Sequence, residues 1–402
     1  MRELPIIISG GGIGGLTAAI ALARAGCSVA VFERAPRFEP IGYGIQIGPN
    51  ALHVFEHLDL LKEVLSHCSL PEAGLLSDAL TNDVLARLPM AGYMKERFGH
   101  PYAVIHRGDL HQVLVGACAA SPLIELRNNV DIVSFEDAHN EITVDTKDGN
   151  RISGAALIGA DGIWSATRNH LFPDCDRPRT SRYVAFRCLR PIAEIEAGLA
   201  KNVVNLRCGA TFHMIHYPLR NDSLFNLVVV MRVPESIVME DFRAVDTHFK
   251  ETFNGACDEV HALLRYVDRS KLWPISNLAP LRTWTRGKVA LLGDAAHAMV
   301  QAMAQGACQA VEDGFVLAKH VAACETIESA FQLYQAERHT RATFTQFRSL
   351  YMWELIHASE GWREMRKNKL SALSDAETLS YFDWLYSAAP GSELGKELAE
   401  IV

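Results

Sequence analysis

Apolar and polar residues repeat along this chain with different periods, and each period predicts a different element. Leu4 to Ser9 is apolar on both faces, as is Val289 to Leu292 far downstream, and such short runs predict strands buried in a parallel sheet. Ser28 to Phe32 predicts another strand. In the interval after Ser9, Leu16, Ala19, Ile20, Leu22 and Ala23 recur at helical spacing, so the first unit reads strand, helix, strand. Residues 130 to 160 alternate in short β-like pieces, with a turn at Lys147 to Asn150. Longer strands follow at Tyr183 to Arg190, Val203 to Arg207, Thr211 to Tyr217 and Leu224 to Arg232. Near the end the period becomes helical, with one helix opening at Gln305, Gly306 and Ala307 and reaching about Ala323, and another over Ile327 to Ala358. Ile41 to Asn50, IGYGIQIGPN, is too glycine-rich for a regular element and reads as a loop. Ser69 to Tyr102 reads as sheet, turns and a mobile segment.

With 402 residues, 49% of them hydrophobic, the chain can bury two packed domains. It has no internal repeat and no low-complexity linker, so the domains are expected to be interwoven. The net charge of -8 comes from interspersed acids and bases, which gives no case for nucleic-acid binding. Nine cysteines stand singly with no CxxC pair, so neither a disulfide framework nor a metal site is expected, and the compartment reads as reducing. The start lacks the pattern of a signal peptide, and no apolar run approaches the ~20 residues of a membrane span. A cytoplasmic location is the expectation.

The chemistry starts at the first turn. Gly10, Gly12 and Gly15 follow a strand in GxGxxG spacing and open a helix, while Glu33 ends the next strand. Those glycines allow a tight turn and close approach to a pyrophosphate, and the acid can accept from a ribose hydroxyl. The dinucleotide set expected here is Gly10, Gly12, Ile13, Gly14, Gly15, Glu33 and Arg34. Gly293 and Asp294 sit at the carboxyl end of a buried strand, where open α/β sheets bind ligands. Gly306 and Ala307 open a helix whose N–H groups favour an anionic ring system. In FHMIHYP the two-residue period puts His213, Ile215 and Tyr217 on one face, with His213 and Tyr217 ~13 Å apart at strand rise, so they could bracket one ring.

GDAAHAMVQAMAQGACQAVED, from Gly293 to Asp313, resembles the second FAD fingerprint of the single-component aromatic hydroxylases, the group that includes para-hydroxybenzoate hydroxylase and salicylate hydroxylase. The resemblance implies that Asp294 binds the ribityl chain and that the helix at Gly306 faces the flavin. It also implies that Gln46 lies near the flavin, that Arg107 of HRGDL contacts the cofactor, and that Asp161 of DGIWSATR does so with Arg168 in support. Where the family usually places proline, this chain has Ala298 and Gln301. Together with His213 and Tyr217 in HMIHYPLR, these features most resemble the 3-hydroxybenzoate 6-hydroxylases.

What this implies is an α/β protein of the para-hydroxybenzoate hydroxylase fold. A Rossmann-like FAD-binding domain (1–70, 100–180 and 275–325) is interwoven with a β-sheet substrate domain (71–99 and 181–274) and a helical carboxyl-terminal region (326–402). The implied reaction is hydroxylation of 3-hydroxybenzoate para to its hydroxyl, giving 2,5-dihydroxybenzoate, with O2, non-covalent FAD and a reduced nicotinamide. NADH is taken from the subfamily, with NADPH the alternative. In this reading His213 is the base, Gln301 orients the hydroxyl and Tyr217 holds the ring or carboxylate. The rival in the same fold is a decarboxylating salicylate 1-hydroxylase; a rival of another class is an FAD-binding protein without oxygenase activity. The aromatic tail of Tyr381, Phe382, Trp384, Leu385 and Tyr386 could cover a core or a subunit face, and a homodimer contact is the reading adopted.

Overall fold

In the computed structural model, which describes residues 4–38, 42–138 and 141–387, the two-faced apolar runs do form a parallel sheet. Its strand order is Thr285–Arg286, Val289–Leu291, Ala156–Gly159, Ile6–Ser9, Val29–Glu33 and Ile124–Asn128, antiparallel only at the first pair. Ile7 and Ile8 are fully buried, as residues covered on both faces must be. Helix Ile13–Arg24 packs on this sheet, and helix Gly306–Ala323 lies against it. At Gly314 an added Cβ would come within 2.7 Å of the Ala18 backbone, so only glycine lets the two helices approach this closely.

A second, seven-stranded sheet runs in the order Trp273–Asn277, Arg179–Pro191, Leu224–Arg232, Phe212–Leu219, Val203–Cys208, Ala73–Asp78, Val84–Pro89. Its pairs are antiparallel except Val203–Cys208 against Ala73–Asp78. On the back face, Phe212, Met214 and Leu227 pack with Phe249, Phe253 and Leu263 from helices Phe242–Thr252 and Asp258–Leu264. The front face carries His213, Ile215 and Tyr217, the set that the two-residue period assigned to one side.

A buried ionic network fixes the turn after Val289–Leu291. Asp313 accepts from the Gly293 amide at 2.9 Å, from His297 Nε2 at 2.6 Å and from Arg338 Nε at 2.8 Å. Glu312 takes Arg338 and, at 2.7 Å, Arg341 Nε. Burial alone would raise the Asp313 carboxyl, but His297 and Arg338 hold it down at about 2. The acids that follow the glutamine-glycine motif are thus structural, tying helix Gly306–Ala323 to the long helix Ile327–Ile356.

Two expectations need correction. Within Ile41–Asn50, Gly44–Ile47 is a strand paired with Ala103–His106, and Pro49 starts a helix; Ile41 lies outside the described residues. The glycines serve close approach: an added Cβ at Gly44 would lie 2.6 Å from Tyr217, and one at Gly42 2.3 Å from His106. Between Ser69 and Tyr102 there is regular structure, two strands of the large sheet and helix Ala91–Phe98, in place of a mobile segment. The aromatic tail packs on its own chain: Leu385 and Tyr386 are buried, Phe98 meets Tyr386 edge to face, and Arg348 lies over Tyr381.

None of the nine cysteines forms a disulfide. Among the described residues, the one cluster with metal-ligand chemistry is His53, Glu56 and His100, away from the cavity described below. Its groups are already engaged, His100 with Glu56 at 3.0 Å and His53 with the Phe98 carbonyl at 2.9 Å. No helix among the described residues is long and apolar enough to cross a membrane.

Candidate active site

Between the two sheets lies a cavity of about 1010 Å³, a volume large enough for a cofactor ring and a small substrate together. Gly12, Gly14, Gly293, Asp294 and Gly306 line one wall, and the front of the seven-stranded sheet lines the other. Two helices begin on this cavity, at Ile13 and Gly306. Neither has a capping side chain or an acid in its first turn, so their amide N–H groups face the space uncompensated.

The glycine loop is shaped by contact as well as by conformation. Gly10 has φ +111°, and an added Cβ there would lie 2.3 Å from the Ala160 carbonyl oxygen; one at Gly15 would lie 2.1 Å from that of Gly10. At Gly12, by contrast, an added Cβ would meet nothing within 4 Å among the described residues, which leaves space above the helix start. Glu33 accepts the amides of Gly11 and Ala35, each at 2.8 Å, and keeps lone pairs for further donors. Arg34 stands beside it, exposed. A dinucleotide diphosphate fits here: uncapped amides, open space and an acid at the next strand tip.

Other residues from the sequence fall into two groups. Gln46, Arg107, Asp294, Gly306 and Ala307 all line the cavity. The Asp294 carboxylate is reachable from the cavity yet surrounded by protein, and burial raises its pKa against the pull of His297 and Arg107. Asp161 is more structural than expected. One oxygen accepts the amide and hydroxyl of Thr167 at 3.0 Å, while the other is buried without a partner among the described residues. Arg168 is fully buried and donates to the carbonyls of Ala295 and Ile163, so it ties the two carboxyl-end turns together without lining the cavity.

His213, Tyr217 and Gln301 all line the same cavity, the first two from the front of the seven-stranded sheet. Register adds a fourth residue that sequence reasoning missed. Arg187 pairs laterally with Val228, which pairs with Ile215, so Arg187 shares the front face between the rows of His213 and Tyr217. Its nearest polar contact is Gln301 Oε1 at 3.5 Å, and its guanidinium lies over the Tyr43 ring. No carboxylate among the described residues pairs with it, and burial pushes its pKa below the usual arginine value. Tyr102, which donates to Gln46 at 2.7 Å, and His357, which bonds His213, were also missed.

Burial and neighbouring His357 push His213 well below the ordinary imidazole value. The sequence reading makes His213 the base, and the lowered value makes it a weaker base than an ordinary imidazole. Burial favours its neutral form, which can accept a hydrogen bond. Burial also takes His216, behind the sheet, to about 3, with Arg207 adding to it, and His357 to about 4 against the pull of its bond to Trp353. An unfolded imidazole binds a proton below about pH 6.5, whereas these remain neutral to lower pH. Their folded values are depressed, so the stability they carry is complete above about pH 6.5 and is lost as pH falls toward the folded values. The thermal midpoint should therefore drop between about pH 6.5 and 4, ahead of most carboxylates. A flat midpoint across that window would show that these imidazoles are not held neutral.

A dinucleotide-binding sheet roofed by a mostly antiparallel sheet, with an apolar cavity between them, fits the flavoprotein aromatic-hydroxylase class. A family profile described as FAD binding domain matches residues 3–347, and the chain belongs to that family. It is similar to 3-hydroxybenzoate 6-hydroxylase 1 of Aquipseudomonas alcaligenes, 36% identical over 98% of each chain. It is also similar to 6-hydroxynicotinate 3-monooxygenase of Pseudomonas fluorescens, 33% identical over 86% of this chain and 90% of the other. The structure of Klebsiella pneumoniae HpxO complexed with FAD and uric acid shares the fold, with a TM-score of 0.83 at 23% identity, covering 94% of this chain and 95% of that one. The protein is thus an FAD-dependent aromatic-ring monooxygenase with the fold expected from its motifs.

Proposed function

We propose that the protein hydroxylates 3-hydroxybenzoate at carbon 6, using NADH and O2. Carbon 6 is para to the hydroxyl on carbon 3, so the product is 2,5-dihydroxybenzoate. The balance is one substrate, NADH, a proton and O2 giving product, NAD+ and water. One observation carries the reading: an imidazole acceptor (His213), an amide (Gln301) and a guanidinium without an acid partner (Arg187) open into one apolar cavity. Those are the groups that a phenol bearing a carboxylate requires.

FAD, when bound, supplies hydride acceptance and activation of O2. The Gly10–Gly15 loop would hold its diphosphate, Glu33 its ribose and Asp294 its ribityl chain, with Gly306, Ala307, Gln46 and Arg107 around the ring. His213 accepts the hydrogen bond of the substrate hydroxyl. As the ring gives up electron density to oxygen that hydroxyl becomes strongly acidic, so a weak, neutral acceptor is sufficient at that moment. Gln301 orients the hydroxyl, Tyr217 bounds the ring, and Arg187 pairs with the carboxylate. The sheet and the helical tail exclude water.

The test is NADH oxidation with a panel of hydroxybenzoates and their amides. 3-Hydroxybenzoate should stimulate it most. A charge-assisted hydrogen bond is worth about 1.5–3 kcal/mol, so Arg187→Met should raise the concentration of acid needed by about 10–100-fold. The neutral amide should respond equally to both proteins. Equal weakening for acid and amide would remove Arg187 from carboxylate recognition.

A further inference from the structure

His213 does not stand alone on the cavity wall. Its Nδ1 lies 3.0 Å from Nε2 of His357, and His357 Nδ1 lies 2.9 Å from the Trp353 carbonyl oxygen, one turn back on the long helix. The Trp353 indole meets both imidazoles edge on, with ring centroids at 5.3 and 4.7 Å, so neither ring has freedom to turn. His213 Nε2 has no partner among the described residues, and His213 lines the cavity.

Hydrogen-bond direction can be deduced along this chain. A carbonyl oxygen can only accept, so His357 Nδ1 carries a proton. In a neutral imidazole the other nitrogen is then a lone pair, so His357 Nε2 accepts. His213 Nδ1 must be the donor, which leaves His213 Nε2 as a lone pair facing the cavity. Without His357 nothing in this arrangement would choose that tautomer over the one that donates into the cavity, which could not take a substrate proton.

We propose that His357 is a positioning residue: held by the Trp353 carbonyl, it fixes His213 as an acceptor and receives the proton that His213 displaces. This rests on the function proposed above. In the transfer, the substrate O–H bond breaks and a bond forms at His213 Nε2. The His213 Nδ1 proton passes to His357 Nε2, so one proton enters and one leaves His213, and the cation ends on His357, outside the cavity lining. The groups facing His357 from other elements are Tyr183, whose ring lies 4.7 Å away, and Arg366. Arg366 is engaged by the Leu355 and Ile356 carbonyls and by Asp78, and its charge discourages a lasting proton on His357, so the relay resets.

The experiment compares holoenzyme with His357→Gln and His357→Leu. It measures hydroxylated product per NADH, the kcat and KM for 3-hydroxybenzoate, and the His213 ring nitrogens by NMR of isotopically labelled histidine. Glutamine can still donate to Trp353 or accept from His213, whereas leucine can do neither. His357→Leu should lose about 10²-fold in hydroxylation kcat, the lower range of a correctly presented base, with KM changed little. Its His213 should show mixed tautomers. His357→Gln should keep more of the Nε2-acceptor signature and part of the kcat, but with a pH profile altered by loss of the relay. A purely structural role would instead lower stability and FAD affinity and leave coupling intact. The proposal is overturned if wild-type His213 carries its proton on Nε2, or if His357→Leu keeps wild-type coupling and an unchanged tautomer. If His357→Leu does not fold, the wild-type tautomer and the glutamine variant still decide it. Should the wild type hydroxylate no hydroxybenzoate, the functional reading falls while the NMR result still judges His357.

Discussion

His213→Ala is expected to bind FAD and to oxidise NADH when 3-hydroxybenzoate is present, yet to form ring product 10²–10⁴-fold more slowly, about what a positioned base contributes. Reducing equivalents would then leave as hydrogen peroxide. The expectation follows from geometry: His213 touches neither the glycine loop nor the Asp294 turn, while it is the imidazole that lines the cavity and has a nitrogen free to accept. Gln301→Ala should act in the same direction more mildly, since an amide orients the hydroxyl without taking its proton. Normal hydroxylation by His213→Ala, checked by oxygen uptake against product formed, would return this histidine to a purely packing role.

Asp294→Ala should lower FAD affinity by about 10–100-fold, the worth of one or two charge-assisted hydrogen bonds at about 1.4 kcal/mol per tenfold, while the FAD-free protein keeps its stability. Two neighbouring acids make the contrast informative. The Asp294 carboxylate has no hydrogen bond within the described residues, and the surrounding protein raises its pKa against the pull of His297 and Arg107. Asp313 is held by Gly293, His297 and Arg338, so Asp313→Ala should cost about 3–5 kcal/mol in urea unfolding by leaving Arg338 partly uncompensated. Fluorescence titration of released flavin reads the first effect, and unchanged FAD affinity in Asp294→Ala would take this turn out of the cofactor site.

What could be read from sequence was whatever chemistry is local. Gly10, Gly12, Gly15 and Glu33 declare themselves because the turn, the helix start and the strand tip are set within one short segment. His213 and Tyr217 could be placed on one face by the two-residue period alone. Arg187 could not, because which face of its strand meets the cavity depends on register with Leu224–Arg232. An arginine at an otherwise apolar inward position, between Ala185 and Leu189, was the available signal. His357 escaped for a similar reason: it ends a helix 144 residues away from its partner. At Gly44 the propensity of glycine for loops lost to pairing with Ala103–His106 and to the close approach of Tyr217. For the aromatic tail, apolarity said that it must be covered and did not say by what; its own chain covers Leu385 and Tyr386.

The most direct test of the whole account is product identity. Purified holoenzyme is supplied with NADH, air and, separately, 3-hydroxybenzoate or salicylate, and the aromatic products are separated by chromatography and weighed by mass spectrometry. The expected result is 2,5-dihydroxybenzoate from 3-hydroxybenzoate, with the carboxylate retained, in step with NADH consumed. Catechol from salicylate, with no ring product from 3-hydroxybenzoate, would contradict it.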